Sequence, residues 1–537
     1  MSGKIHWKTL EHSGPLFPEP YNSLPDNVML VYEEKKIKLN STDTNNNFNM
    51  SAEEAAFLYS QILEREIRNT NKKRKTKSCV TDLFKINFWN DWRRILEKHH
   101  PQITNFEKID FSNIIEYISK YKIYQDEERG MLLPEERKEK KEEKNQIKEE
   151  FGIAVIDGEP TYIGNFRIQP PGLYIGHTSK NTGKIKARIK PSDVIVNGTT
   201  VHGVWGSKEI NPQVGYIAKY KNPVSRQFVY IQLDRKTSKF VEENDQLKFD
   251  KARKLGENIG LIKKTYQEDC KSFSLRQQQL GVAVFLLDTI AIRPGTEKDE
   301  TADNDTVGLT TLKVENIKFF ENKIIEINFF GKSSIEFKKR YKMPQIIYDL
   351  LLSFTKNKTA IDSLFEYVTP VNLNDYLKKI VSGITAKTFR TWKASSVLQK
   401  KLDEFKIDEN STETEKSIAF KNANIETALA LNHKRMNQDN EEGIIELKNQ
   451  IQKEEQKLEG ASASVSEKVK NRIEQLKIKL VEKTQNVSTI TSKVNYIDPR
   501  IAVAWAKKVE FPIEKIYNQS QLLKFRWAVE IRSDWKF

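Results

Sequence analysis

Apolar and polar positions along the chain fall into blocks of different period, and each block predicts a different element. Residues 6–39 hold Pro15, Pro18, Pro20 and Pro25 ahead of a strand-like run from Val28 to Tyr32, so an extended segment is expected there. From Ser51, SAEEAAFLYSQILEREI has helical period, with the serine as N-cap and Glu53 and Glu54 in the first turn. A second helix is expected around FWNDWRRIL. Residues 127–150 are almost wholly charged with little apolar periodicity, which predicts a solvated helix laced with i,i+4 pairs. From Phe151 to about Arg235 the period shortens: GIAVIDG, PTYIGNFRI, DVIVNG and RQFVYIQL read as strands punctuated by Gly, Pro and Asn. Helical sequence returns at about Lys251 and runs to about Ala430, interrupted by the β-rich interval KVENIKFFENKIIEINFFGKSSIEFKK.

The pattern changes again over residues 441–484. Ile444, Leu447, Ile451 and Leu458 fall on heptad positions, as do Val469, Ile473, Leu476 and Leu480. The small-residue stretch GASASVS between them lets the two helices fold back as an antiparallel coiled-coil hairpin. From Ser492 onward YIDPRIAVAW, FPIEKIY and FRWAVEI are aromatic and apolar, as in a small globular end domain. With 537 residues, too many for one hydrophobic core, the whole reads as multidomain α+β.

Composition narrows the class. Lys and Arg number 89 against 74 Asp and Glu, a net charge of +15, the balance that a phosphate backbone rewards through counterion release. Only Cys79 and Cys270 are present, far apart, so neither a disulfide framework nor a cysteine-rich zinc site can form, and an intracellular chain is expected. The longest apolar run, Gly281 to Ile292, is broken by Asp288 and falls short of the roughly 20 residues of a membrane span. The start carries no signal-type apolar stretch.

Candidate chemistry gathers around Tyr496 in TSKVNYIDPRIAVAW, a helix-poor entry followed by the turn-like pair Asp498-Pro499. A lone tyrosine usually packs or hydrogen-bonds. Its upstream company changes the reading: Arg293 in IAIRPGTEK, Lys332 in FFGKSS, Arg390 in TAKTFRTW and His433 in ALNHKR. These types serve metal-free phosphoryl transfer. Arginine forks grip nonbridging oxygens, an imidazole donates a further hydrogen bond, a lysine protonates a departing 5′ oxygen, and a phenol is the nucleophile.

The ordered motifs HWKTLEHSGPLF, FRIQPPGL, LDTIAIRPGTEKDETADNDTVG, ITAKTFRTWKAS, ALNHKR and SKVNYIDPRIAVAWAKK with PIEKIYN resemble eukaryotic type IB DNA topoisomerase from about Trp7 to Phe537. The resemblance implies ATP-independent relaxation of supercoiled duplex DNA through a 3′-phosphotyrosyl intermediate, with no cofactor and no obligatory metal. It implies a catalytic set of Arg293, Lys332 as general acid, Arg390, His433 and the nucleophile Tyr496. Arg188, Lys298, Thr306, Lys387 and Asn495 match positions that contact DNA near the cut.

The implied architecture is a monomeric two-lobed DNA clamp. A mixed N-terminal lobe spans 1–238 with a cap region of about 40–156, and an α-rich, tyrosine-recombinase-like catalytic domain spans 239–436. A coiled-coil linker occupies 437–486 and a C-terminal domain 487–537. A nuclear location is expected. The family's charged N-terminal tail is not in this sequence, which leaves Lys72-Lys73-Arg74-Lys75 as the candidate import signal. Thr296 and Ser333 stand where the family has Asn and Asp.

Other chemistries fit less well. GHTSKNTGKI has six residues between its glycines where a phosphate-binding loop has four, and Ile185 where a hydroxyl should bind magnesium. His99, His100 and His177 lack the spaced partners of a zinc site. A tyrosine recombinase uses similar chemistry, but Lys387 stands where recombinases usually place a histidine, and a long hairpin separates Arg390 from Tyr496. A non-catalytic DNA clamp predicts loss of some of the five residues, and all five are present.

Overall fold

The structure is a computed structural model, and it describes residues 7–71, 78–175, 180–234, 239–295, 307–331, 335–434, 441–458 and 463–537. The run Lys72 to Lys75 lies outside these. The chain forms two compact units that divide at Val241 and Glu242.

In the first unit the proline-rich start is extended and contributes β1 (Leu10–His12), β2 (Leu30–Tyr32) and β3 (Lys35–Ile37). Helices α1 (Ala52–Asn71) and α2 (Asp82–Leu96) follow, and Ser51 Oγ caps α1 by accepting from Glu54 N at 3.1 Å. They bury an aromatic core in which Tyr59 stacks on Phe88 at 4.3 Å, next to Phe84 and Trp92. After β4 (Ile109–Asp110), the charged stretch is two helices, α3 (Ser112–Met131) and α4 (Pro134–Phe151), rather than one. Pro134 causes the break, because its ring and missing N–H are tolerated only in a first helical turn.

The strand-rich stretch then supplies β5 (Ile153–Ile156), β6 (Glu159–Tyr162), β7 (Gly172–Leu173), β8 (Ile185–Lys186) and β9 (Val194–Asn197). It continues with β10 (Thr200–Val201), β11 (Ser207–Glu209), β12 (Tyr216–Lys221) and β13 (Phe228–Gln232). Two four-stranded sheets result, β10-β1-β5-β6 and β11-β9-β12-β13, so β1 from the extended start is locked between later strands.

The second unit is mostly helical. α5 (Lys239–Glu257) begins about three turns earlier than the periodicity suggests, because its polar N-terminal half shows no apolar stripe. α6 (Ile259–Asp269) and the apolar α7 (Leu275–Ile290) build the core, and within it Asp288 accepts from Tyr266 Oη at 3.0 Å. The inserted β-interval is a three-stranded antiparallel sheet of β14 (Ile317–Phe320), β15 (Ile324–Phe330) and β16 (Glu336–Lys342). Helices α8 (Gln345–Phe354), α9 (Pro370–Ile380), α10 (Thr388–Glu404) and α11 (Glu413–Ala430) complete this region. α12 (Glu441–Gln456) and α13 (Ala463–Thr484) pair through Leu447, Ile451, Ile473 and Leu476. The chain ends with α14 (Thr489–Asn495), α15 (Pro499–Lys508) and α16 (Gln519–Lys524), packed on α10 and α11 around Leu398, Phe420, Ile501 and Trp505.

Candidate active site

Four of the five candidate catalytic residues meet inside the second unit, each delivered by an element end. α7 stops at Ala291, which takes a left-handed conformation (φ 54°, ψ 36°) and turns the chain so that Arg293 follows two residues later. Beyond Arg293 the backbone is clasped: Leu309 N donates to Arg293 O at 2.8 Å, and Thr310 N to Pro294 O at 2.8 Å. Gly295 (φ +84°) and Gly308 touch at this crossing, and a Cβ on Gly308 would lie 2.4 Å from Gly295 backbone atoms.

Arg390 sits in the first turn of α10, buried at 5% exposure. Its Nη1 donates to Ala291 O at 2.5 Å, and its Nη2 to Leu431 O at 3.1 Å. The Nη2 also lies 2.9 Å from His433 Nε2. The strained Ala291 thus serves two arginines, releasing Arg293 into the site and holding Arg390 through its carbonyl.

His433 follows α11 and is buried. Its carbonyl accepts from Ser488 N at 2.8 Å, and Lys434 forms an isolated antiparallel bridge with Val487. The two ends of the coiled-coil hairpin are therefore adjacent, directly beside the histidine. The β15–β16 hairpin docks on the same turn, since Lys339 Nζ donates to Leu429 O at 3.0 Å and Asn432 Nδ2 to Glu336 O at 3.4 Å.

Tyr496 occupies the C-cap of α14, its N–H donating to Ser492 O at 3.0 Å. The helix-poor entry read from the sequence is thus corrected: TITSKVN has no apolar stripe, and packing on α11 makes it helical. The pair Asp498-Pro499 likewise starts α15 rather than forming a free turn, with Asp498 as N-cap and proline at the first helical position. Ser395 of α10 straps this bend. Its Oγ donates to Tyr496 O at 3.4 Å and accepts from Asp498 N at 3.0 Å.

The Tyr496 Oη accepts from Arg293 Nη1 at 2.8 Å. The Arg390 guanidinium carbon lies 5.1 Å from the phenol's centroid, and the His433 ring is 5.0 Å away. Burial pushes the phenol pKa up, but the charges of Arg390 and Arg293 and the Arg293 hydrogen bond outweigh it, so the net shift is downward. Burial, then Arg390 and Arg293, push His433 down to about 3, which keeps the imidazole neutral. Burial and the neighbouring Arg293 lower Arg390 to about 10, and it remains a cation near neutrality. A half-buried phenol ringed by two cations and a neutral imidazole can attack an anionic phosphorus centre and stabilise the charge that develops.

Comparison with known proteins agrees in all parts of the chain. Residues 5–233 match the model described as eukaryotic DNA topoisomerase I, DNA binding fragment; residues 237–471 match its catalytic core; residues 468–537 match the C-terminal topoisomerase domain. The chain belongs to the eukaryotic DNA topoisomerase I family. Its relatives include DNA topoisomerase I, mitochondrial, of Homo sapiens, 32% identical over 99% of this chain and 91% of that protein. DNA topoisomerase 1 of Caenorhabditis elegans is 33% identical over 98% of this chain and 67% of its own length. DNA topoisomerase 1 of Drosophila melanogaster is 32% identical over 99% of this chain, which spans only 55% of that protein. The topoisomerase match does not favour the recombinase or the passive clamp.

The remaining family-matched positions are less uniform. Lys332, Lys298 and Thr306 lie outside the described residues, as do Thr296 and Ser333. Lys387 is exposed at the N-cap of α10, three residues before Arg390. Asn495 is exposed beside Tyr496 and donates to Thr491 O at 3.3 Å. Arg188 is in the first unit, where its guanidinium pairs with the buried Glu54 at 2.8 Å and donates to Glu19 O at 3.1 Å. A DNA phosphate would have to compete with that carboxylate. Among the described residues no group of three His, Cys, Asp or Glu is placed to hold a metal ion, and no helix is long and apolar enough to cross a membrane.

Sequence reasoning passed over Ser492, Ser395, Ala291 and the Asp498–Arg500 pair. Asp498 is fully buried and accepts from Arg500 Nε at 3.1 Å and Nη2 at 2.8 Å; the same Nη2 reaches Asp250 of α5 at 2.7 Å. Arg500 also lies 4.9 Å from the Trp535 ring. The available signal was the clustering of Ser492, Asp498 and Arg500 within four residues of Tyr496.

Proposed function

We propose that this chain relaxes supercoiled duplex DNA without ATP or an obligatory metal, by transient cleavage of one strand at Tyr496. The observation that carries the reading is the phenol held at 2.8 Å by Arg293 and faced by Arg390 and His433. The Tyr496 oxygen attacks the scissile phosphorus and gives its proton to water, while the bond to the 5′ oxygen breaks. Arg293 and Arg390 neutralise the nonbridging oxygens as charge builds on them, and His433 assists by hydrogen bonding. Lys332, in the connection between β15 and β16, protonates the departing 5′ oxygen. The phosphodiester energy is kept in the 3′-phosphotyrosyl bond. Stored torsion drives rotation about the intact strand, and the 5′-hydroxyl reverses the attack.

Binding is largely independent of sequence and falls steeply with salt, as expected for a net charge of +15 meeting phosphates. The reading extends to a monomer that closes its two lobes around the duplex, with Lys298, Thr306, Lys387 and Asn495 contacting DNA near the cut and Arg188 joining them once released from Glu54. It also extends to nuclear residence. The deciding experiment is relaxation of supercoiled plasmid in EDTA without nucleotide, on both positive and negative supercoils. Failure on both signs rejects the reading, and activity on one sign alone points to another class of topoisomerase.

A further inference from the structure

Both ring nitrogens of His433 have buried partners, and the chemistry of those partners fixes where its proton sits. Nε2 lies 2.9 Å from Arg390 Nη2. A guanidinium has donors only, so Nε2 must offer its lone pair. The neutral ring then carries its single proton on Nδ1, and Nδ1 lies 2.6 Å from Ser492 Oγ. Ser492 therefore accepts from His433, and His433 accepts from Arg390. Had the proton been on Nε2, two donors would face each other in a buried site, an arrangement that costs the desolvation of both.

Ser492 is fully buried at the midpoint of α14. Buried hydroxyls in helices often bond back to the carbonyl four residues earlier, as Ser60 does to Ala56 O at 2.8 Å and Thr427 to Ala423 O at 2.9 Å. Ser492 reaches across to another element instead. Its carbonyl meanwhile accepts the N–H of Tyr496 at 3.0 Å. One residue thus touches the nucleophile through its backbone and the histidine through its side chain.

We infer that Ser492 is a positioning residue for strand cleavage: by accepting the Nδ1–H of His433 it selects the tautomer whose Nε2 receives Arg390, and so holds the Arg390 fork against the nucleophile. The inference rests on the cleavage reading above. For Nε2 to turn donor toward a phosphate, Arg390 Nη2 would first have to withdraw from it and the ring would have to take a second proton from solvent; the Nδ1–H bond to Ser492 would be kept through that change. A carboxylate in place of Ser492 would favour the imidazolium, whereas a hydroxyl leaves the resting ring neutral.

The test is single-turnover cleavage of a suicide duplex by the full chain, after plasmid relaxation by the unaltered chain has been established. Ser492→Ala should slow cleavage about tenfold, the effect of one lost hydrogen bond of ordinary strength. Noncovalent affinity for the same duplex should stay within about twofold on that argument, because Ser492 is fully buried and presents nothing to a duplex at the surface. In a His433→Ala background the Ser492→Ala change should add nothing, since no ring remains to orient; a merely structural serine would cost the same factor in both backgrounds. Nitrogen NMR of histidine-labelled protein without DNA reads the tautomer directly: His433 should show a protonated Nδ1 in the unaltered chain and should shift toward protonated Nε2 in Ser492→Ala. Unimpaired cleavage by Ser492→Ala, an equal loss in both backgrounds, or a protonated Nε2 in the unaltered chain would each overturn the inference. If the unaltered chain cleaves no DNA, the parent reading falls while the tautomer measurement still judges the serine.

Discussion

Arg293 and Tyr496, 203 positions apart in the chain, are joined by a 2.8 Å hydrogen bond from guanidinium to phenol oxygen. The proposed nucleophile is thus already engaged by the group proposed to neutralise the phosphate. Tyr496→Phe removes only that oxygen. It should abolish relaxation and covalent capture of DNA in denaturing gels while leaving noncovalent binding nearly unchanged, and any retained relaxation would move the nucleophile elsewhere.

Arg390 is the most heavily committed side chain of the site, serving two carbonyls and an imidazole from a buried position. Arg390→Ala should slow single-turnover cleavage on the order of 100-fold or more. It should also lower stability by about 2–3 kcal/mol, because the Ala291 and Leu431 carbonyls are orphaned. His433→Ala should cost less on both counts. Denaturant titration alongside cleavage assays measures the pair, and equal mild effects would reject the division of roles.

At Gly308 the obstacle is steric. A methyl group there meets Gly295 backbone at 2.4 Å, and neither backbone can yield without moving the segment that presents Arg293. Gly308→Ala should depress cleavage far more than it depresses the melting temperature. A variant that melts normally and cleaves normally would show that the clasp is not what places Arg293.

The depressed pKa of His433 has a signed consequence. Unfolded, the imidazole titrates near its ordinary 6.5; folded, it stays neutral down to about 3. Neutral His433 therefore supports the fold fully above about pH 6.5, and that support is lost as pH falls toward about 3 because the unfolded chain binds the extra proton. Replacing it by asparagine should flatten the stability profile across this window. Parallel profiles for the two proteins would contradict the burial argument.

Lys434 pairs with Val487 at the root of the coiled-coil hairpin. Excising residues from Asn440 to Gln485 and joining the ends with a short linker should preserve a single cleavage event, since the candidate catalytic residues lie outside the excised part. Rotation and religation should change. Quantifying cleavage separately from relaxation decides it, and a cleavage-dead deletion would mean that the hairpin places Tyr496.

The parts of this molecule that were legible in sequence are those encoded locally. Heptad spacing found Leu447, Ile451, Ile473 and Leu476, and ordered motifs found Arg293, Arg390, His433 and Tyr496, which the fold brings together. What escaped was encoded by partners. α14 is a helix because α11 supports it, and Ser492 matters because His433 lies opposite, a relation spanning 59 positions that no periodicity records. Glu53 and Glu54 read as residues favouring a helix start, yet both are buried, Glu54 against Arg188, which had been read as facing DNA. Charge in a sequence carries no statement of which counter-ion it will meet.

The buried Asp498–Arg500 pair bears on how the segment that carries Tyr496 associates with the rest of the second unit. The acid and base lie two residues apart, so the pair is largely self-neutralised, and beyond it Arg500 reaches Asp250 and Asp498 N reaches Ser395 Oγ. Its docking combines apolar burial around Ile501 and Trp505, which ionic strength hardly weakens, with solvent-facing ion pairs from Lys515 to Glu413, Arg526 to Glu242 and Lys536 to Asp403, each of which contributes little. DNA binding responds in the opposite way. Rising salt should strip the enzyme from its substrate long before it loosens the tyrosine from the arginines, so the released enzyme leaves the duplex with its cutting centre assembled.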